Sequence, residues 1–451
     1  MKLRLSDVAI QTQGRLIGAD VAVNGVATDS RTLTPGALYV ALRGDHFDGH
    51  DFVGAAMTAG ASSAMVDREM GIDFPQVVVD DTELALGRLA AATRQRSAAK
   101  VVAITGSNGK TTVKSLTAAI LSLHGRTHVN SGNYNNEIGL PLSVIALPDD
   151  AQFAVFEMGA GKPGDIEYLT SIARPDVGLV NNVAAAHLER MGDLAGVAHT
   201  KGAIISALPA DGVAVVNVDD AYADYFVGLA GSRRVIRYGF AANADVRGEM
   251  AGQPAGSFRI VSDSQSASVH LALPGIHNMC NALAAASIAT ALDVPLTTIK
   301  AGLELATPVD GRLAAYPHRS GAIIIDDSYN ANPGSFDAAI ATLADKRGRR
   351  ILVMGDMKEL GPDSDALHEQ VGARASDAGI DQLHAVGEFS AFAIRAFDGE
   401  GFLYDDQAAL LAALRPLLQP NTTMLVKGSR SSAMDRVVAA LMDEEGGEHA
   451  A

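Results

Sequence analysis

A chain of 451 residues has room for about three domains at roughly 150 residues each. Its formal net charge of −16, from 36 basic and 52 acidic side chains, argues against bulk binding to nucleic acid or an anionic membrane, which needs a positive surface. Hydrophobic residues make up 48% and charged residues 20%, enough for each domain to bury a core, and the single cysteine, Cys280, excludes an intramolecular disulfide. The opening MKLRLSDVAIQTQGRL is too broken by polar residues for a signal peptide. The longest mostly apolar run, 282–292, falls far short of the ~20 residues a bilayer span needs. The expectation is a cytoplasmic protein with no membrane insertion, structured except for the polar tail 444–451.

Residues 1–82 mix short strands and turns, with strands expected at 37–42 (ALYVAL) and 76–79 (QVVV) and a short helix at 51–59. Asp80-Asp81-Thr82 precedes a helix over 83–96, and a first boundary is placed at 82. From Lys100 strands alternate with helices. VVAIT (101–105) is a buried strand, a Gly-rich turn follows, and a helix runs over 111–124. Further buried strands are expected at 153–158, 176–183 and 213–218, which implies a mostly parallel sheet covered on both faces. Residues 234–273, with alternating segments at 257–261 and 267–273, read as a small antiparallel patch. A second series of strands follows Gly311-Arg312, at 321–327, 349–356, 382–387 and 422–428. Helices at 365–378, 407–418 and 433–442 alternate with them.

The strongest local signal is Thr105-Gly106-Ser107-Asn108-Gly109-Lys110-Thr111-Thr112, between a predicted strand and a predicted helix. Gly106 and Gly109 let backbone N–H groups turn toward phosphate oxygens, and the helix N-terminus adds its dipole. Lys110 reaches the β- and γ-phosphates, and the Thr111 hydroxyl is a magnesium ligand. Ile104 stands where the general GxxxxGK[ST] pattern has glycine, so the shorter TGxxGKTT form remains. The fold class is therefore α/β in three domains: a small mixed N-terminal domain (1–82), a central P-loop parallel-sheet domain (83–313) and a C-terminal Rossmann-like domain (314–451).

Other polar clusters fall at strand ends, where α/β folds place ligands. Glu157 ends FAVFEM and is either a magnesium carboxylate or an ordinary polar strand end. Lone His187, beyond the strand 176–183, is more often structural, and Lys201 reads by spacing as a solvated helix lysine. Asn278 and Asn281 either contact a base or cap a helix. DDSYNANP (326–333) and KGSR (427–430) end two later strands, as ligand contacts or as turns. Thr28-Asp29-Ser30-Arg31 and the segment 43–50 flank ALYVAL, and either hold a nucleotide diphosphate or are surface loops.

Together these segments resemble the Mur ligases, over essentially the whole chain and in the family's order. The resemblance is carried by GNYNNEIGLP (132–141), AAAHLERMGDLAGVAHTKG (184–202), DDSYNANPGS (326–335), MGDMKELG (354–361) and LVKGSRSSAMDRVV (425–438). After Glu157-Met158-Gly159-Ala160 the chain departs, with Gly161-Lys162 where the family usually has Asn-His. The resemblance implies an ATP- and Mg²⁺-dependent ligase, with two metal sites, that adds D-alanyl-D-alanine to UDP-muramoyl-tripeptide in bacterial cell-wall synthesis, working as a monomer. ATP phosphorylates the tripeptide carboxylate, and the dipeptide amine then attacks the acyl phosphate.

Carried onto this chain, the resemblance gives Gly106 to Thr112 to ATP, Thr111 and Glu157 to one Mg²⁺, and His187 to a second, with Lys201 a carbamate ligand. Lys110, Lys201 and His187 are its catalytic residues. Asn278 and Asn281 face the adenine, Arg312 the phosphates and Asp327 the ribose. Tyr329, Asn330, Lys427, Ser429 and Arg430 lie toward the dipeptide, and Asn135 and Asn136 toward substrate. Ser30, Arg31, Arg43, Gly44, Asp48 and His50 hold the uridine diphosphate. The third domain is expected to rotate onto the second when nucleotide binds. A sister ligase adding the third peptide residue is disfavoured by GNYNN and KGSR, folylpolyglutamate synthase by the first domain, and a non-catalytic scaffold by the intact Lys110, Thr111, Glu157, His187 and Lys201.

Overall fold

A computed structural model describes residues 3–250, 256–273 and 275–443; the tail 444–451 lies outside the described residues. The architecture is α/β, with three main sheets in chain order. The largest has nine strands in the order Thr127–Val129, Phe153–Glu157, Lys100–Thr105, Val177–Val180, Val213–Asn217, Arg234–Gly239, Val246–Glu249, Ser257–Ser262 and Gln265–His270. Its apolar, β-branched central strands are buried on both faces, as parallel strands under helices require. The strand order reverses around Lys100–Thr105, which runs parallel to Phe153–Glu157 on one side and Val177–Val180 on the other. The crevice beyond the carboxyl ends of these three strands is where such a sheet places its ligand.

Within 234–273 the expected antiparallel pairing is present between Ser257–Ser262 and Gln265–His270, but it forms the edge of the large sheet and does not extend over the whole region. Arg234–Gly239 pairs in parallel with Val213–Asn217, Val246–Glu249 continues in parallel, and only the last two pairings are antiparallel. Alternating hydrophobicity reports one solvated face and says nothing of direction, and Arg234–Gly239 alternates because one of its faces is only partly covered.

The third body is a six-stranded sheet ordered Ala314–Pro317, Ile323–Asp327, Thr422–Lys427, Arg349–Gly355, Gln382–Val386 and Glu400–Tyr404, parallel except for its first strand. Both edge strands escaped the sequence reading. Its two faces carry separate apolar cores, one around Phe336, Leu352 and Leu425 and the other around Ile324, Val353 and Met424.

The first body is a five-stranded sheet, ordered Arg15–Ile17, Gln76–Val78, Ser63–Val66, Leu38–Val40 and Val26–Ala27. Helix Thr82–Arg96 joins it to the large sheet. Asp81 caps this helix, accepting from Glu83 N at 2.8 Å and Leu84 N at 2.9 Å, a contact that stabilises by ~1 kcal/mol. Its Ala85, Leu86, Leu89 and Ala90 belong to one apolar cluster that runs from Leu5, Val40 and Val77 of the first body to Leu140, Phe156 and Ile166 of the second.

Candidate active site

The phosphate loop leaves the strand Lys100–Thr105 at the sheet's reversal point and enters the helix Lys110–Ser122. Gly109 has φ +79°, and a Cβ there would fall 2.4 Å from Asn281 Oδ1, so both conformation and space demand glycine. The segment after the next strand shapes the loop: Asn108 N donates to Asn182 Oδ1 at 2.8 Å, and the Ser107 hydroxyl donates to the Ala184 carbonyl at 3.0 Å. Lys110 Nζ folds back on its own loop, donating to Gly106 O at 2.9 Å, and burial lowers its pKa.

Glu157 ends the neighbouring strand, 3% exposed. Its Oε2 accepts from the Thr111 hydroxyl at 2.9 Å and its Oε1 from Asn135 Nδ2 at 2.8 Å. Two residues missed from sequence complete the nest. Asn130 Oδ1 accepts from Glu157 N at 3.0 Å, and Lys114 Nζ sits 3.5 Å from Glu157 Oε2 while donating to Asn130 O and Gly132 O. Burial works against the Glu157 carboxylate, but Lys110, Lys114, Asn135 and Thr111 together hold its pKa below the ordinary value. Lys114 was findable: four residues after Lys110 on one helix, it lies on the same face. The Thr111 hydroxyl and the Glu157 carboxylate are hard oxygen donors side by side, the chemistry a magnesium ion takes.

Lys201 is not the solvated helix lysine that spacing suggested. It is 2% exposed on the helix Leu194–Ser206, and among the described residues no carboxylate pairs with it. Burial, reinforced by the charge of Lys110, lowers its pKa to about 7. His187 stands in the left-handed region at φ +55° and meets Glu359 of the third body, Nδ1 to Oε2, at 2.5 Å. Burial, outweighing Glu359, lowers its pKa.

Asn278 and Asn281 do not cap their helix, whose N-cap is Gly275. Asn281 Oδ1 instead accepts from Asn181 Nδ2 at 3.0 Å, and Asn281 Nδ2 donates to Asn278 Oδ1 at 3.2 Å. Asn181 Oδ1 accepts from the buried Tyr238 hydroxyl at 2.8 Å, another contact the sequence did not announce.

The third body closes the far wall. Asp327 and Lys427 occupy paired positions on adjacent parallel strands, and their charges meet at 2.6 Å. Arg312 donates to the Thr111 hydroxyl at 3.3 Å and lies 4.0 Å over the Tyr329 ring, with Arg430 at 5.9 Å from the same ring. Together the two bodies enclose a cavity of about 640 Å³. Ser107 to Lys110, Thr112, Asn135, Asn136, Glu157, His187, Asn278, Asn281, Arg312, Asp327, Tyr329, Asn330 and Lys427 all line it. Gly106, Thr111, Lys201, Ser429 and Arg430 do not. Ser429 is buried against Ser432, and Arg430 pairs with Asp435 on the surface.

The first-body candidates also lie off this cavity. Arg43 pairs with Asp67 at 2.7 Å, and buried His50 bridges Asp48 and Asp67 at 2.5 and 3.0 Å, so Arg43, Asp48 and His50 form one cluster that Arg68 joins through Asp48. Arg31 pairs with Asp29 and Ser30 is half-buried.

Three family models match in succession: "Mur ligase family, catalytic domain" over residues 22–94, "Mur ligase middle domain" over 104–289, and "Mur ligase, glutamate ligase domain" over 311–430. The UDP-N-acetylmuramoyl-tripeptide–D-alanyl-D-alanine ligase of Escherichia coli K12 is 46% identical over 448 residues, covering 98% of this chain and 99% of that one. Among solved structures, MurF from Acinetobacter baumannii superposes with a TM-score of 0.92 at 34% identity, over 98% of this chain and 99% of its own. MurF ligase from Thermotoga maritima in complex with ADP gives a TM-score of 0.82 at 27% identity, over 93% of this chain and 97% of its own.

Proposed function

The chain belongs to the Mur ligase family, and from that premise we propose how its interbody cavity makes an amide bond. It is an ATP-dependent ligase that joins D-alanyl-D-alanine to UDP-N-acetylmuramoyl-tripeptide in peptidoglycan synthesis. The observation that carries the mechanism is the convergence of the phosphate loop and Glu157 from one sheet with Asp327 and Lys427 from another, and of Arg312 from the segment between them, on a single cavity.

In this reading the Gly106–Thr112 loop cradles the ATP phosphates, and Lys110 exchanges its loop carbonyls for β/γ-phosphate oxygens. Asn278 and Asn281 face the adenine, Asp327 the ribose, and Arg312 the phosphates. The tripeptide carboxylate attacks the γ-phosphorus, ADP leaves, and an acyl phosphate forms. The dipeptide amine attacks its carbonyl carbon, and the tetrahedral intermediate collapses to amide and phosphate. Positioning and charge neutralisation supply most of the rate in such transfers. Asn135, Asn136, Tyr329, Asn330 and Lys427 line the wall where the peptide ends meet, with Ser429 and Arg430 behind them. Ser30, Arg31, Arg43, Gly44, Asp48 and His50 hold the uridine diphosphate on the first body.

Thr111 and Glu157 would hold one Mg²⁺, and His187 with Lys201 as a carbamate a second. Such ions neutralise phosphate charge when bound. A lysine titrating near 7 supports the carbamate, because its neutral amine is the form that adds to carbon dioxide, releasing a proton. We place the domain boundaries at 82 and 313 and read the enzyme as a cytoplasmic monomer; no helix among the described residues is long and apolar enough to cross a membrane.

Phosphate release, measured with ATP, Mg²⁺, UDP-muramoyl-tripeptide and D-alanyl-D-alanine and then with each omitted, tests the reading. It is expected to need all four. Release that instead requires a free amino acid with the UDP-muramoyl-dipeptide would move the chain to the preceding ligation step.

A further inference from the structure

Asn332 stands where the third body meets the phosphate loop, and its amide is used at both ends. Oδ1 accepts from Ser335 N at 2.9 Å and caps the helix Pro333–Ala344. Nδ2 donates to Asn108 Oδ1 at 2.8 Å. Serine or aspartate would cap this helix as well as asparagine does, but neither carries a donor that reaches Asn108. The backbone of Asn108 is gripped from the opposite side: N donates to Asn182 Oδ1 at 2.8 Å, and O accepts from Asn181 Nδ2 at 3.0 Å and Asn182 Nδ2 at 3.2 Å. The next residue after Asn332 but one is Gly334, where a Cβ would lie 3.3 Å from Asn108 Nδ2 and 3.6 Å from Ala184 Cβ. The third body therefore approaches the phosphate loop closely at the turn that presents Asn108, two residues before Lys110.

We propose that Asn332 is a positioning residue that couples the shape of the phosphate loop to docking of the third body. When the loop is shaped to hold phosphate, Asn108 turns its Oδ1 toward Asn332. The bond then seats the helix Pro333–Ala344, and with it Asp327 and Lys427, over the nucleotide. The idea rests on the assignment of the loop to ATP given above.

A double-mutant cycle tests it. Asn332→Ser keeps the cap and shortens the side chain; Asn108→Ala leaves the cap untouched and removes the acceptor. Each is expected to lower kcat about fivefold, the size of one neutral side-chain hydrogen bond, and Asn332→Ser to keep ADP affinity within about twofold of wild type. The double variant should fall no further than either single one. Small-angle scattering of the ADP-loaded protein, which needs no turnover, should show both variants more extended than wild type. Additive losses, wild-type kcat in Asn332→Ser, or an ADP affinity loss in that variant equal to its kcat loss would overturn the coupling. Failure of wild-type turnover with the scattering difference intact would instead overturn the ligase reading alone.

Discussion

Replacing Lys114 with methionine isolates the buried charge beneath the candidate metal site. The side chain is 7% exposed, 3.5 Å from a Glu157 that is 3% exposed, and it donates to Asn130 O at 3.0 Å and Gly132 O at 3.2 Å. Methionine fills a similar volume but leaves two carbonyls without their donor and removes one of the two lysines that stabilise the Glu157 carboxylate. Breaking a buried pair from one side costs about 3–5 kcal/mol, and the relief of no longer burying an ammonium places the net loss near the lower end, about 3 kcal/mol. For a unit of roughly 200 residues that is a fall of about 6–12 °C in unfolding midpoint. Calorimetry would measure it, with Arg15→Met as the control: Arg15 pairs with Glu69 at the surface and should cost no more than about 0.5 kcal/mol. Phosphate release should fall as well, since Lys114 ties the 130–132 backbone beneath Asn135, which orients Glu157. A Lys114→Met midpoint within about 2 °C of wild type would refute the nest as described.

Lys201→Ala and Lys201→Arg should each lower kcat by about a hundredfold, because neither offers a neutral amine; full activity in the arginine variant would remove the carbamate. Tyr238→Phe leaves Asn181 Oδ1 without its donor in a buried site, so it should destabilise by about 1–3 kcal/mol and weaken ADP binding, read by thermal unfolding and nucleotide titration. His384 is buried among Tyr404, Phe402 and Gln382, and burial lowers its pKa to about 4. The unfolded imidazole, ordinarily near 6.5, takes up its proton first, so this residue's contribution to stability is present above that value and drains away as pH falls toward 4. In His384→Phe the unfolding midpoint should decline less steeply between those two pH values than in wild type; an identical slope would exclude His384 as a source of the decline.

What could be read from sequence follows how local each signal is. The phosphate loop is contiguous, and its glycines, lysine and threonines act within one turn, so GSNGKTT revealed it directly. Glu157 was accessible because a strand end in a parallel sheet is already a privileged place. Lys201 was misread: AHTKGAIIS looks like a helix with one polar face, whereas Lys201 sits in the buried face of that helix, with Val197, Ala198, Ile204 and Ile205 three and four residues to either side. Asn278 and Asn281 were ambiguous because capping and ligand contact use the same side chain, and only the distant Asn181 decides against the cap. Glu400–Tyr404 was missed because an edge strand with Phe402 and Leu403 exposed lacks the apolar run that marks its buried neighbours.

The apolar cluster shared by the first two sheets has a consequence for synthesis on the ribosome. Leu5, Val40 and Val77 belong to one buried cluster that continues through Leu86 to Leu140, Phe156 and Ile166, so the first body emerges with that core unfinished until much of the second has been translated. The third body has both of its cores within residues 313–441 and can collapse by itself after the rest has folded. A nascent chain stalled near residue 100 should therefore recruit chaperones and proteases that one stalled beyond the second body escapes.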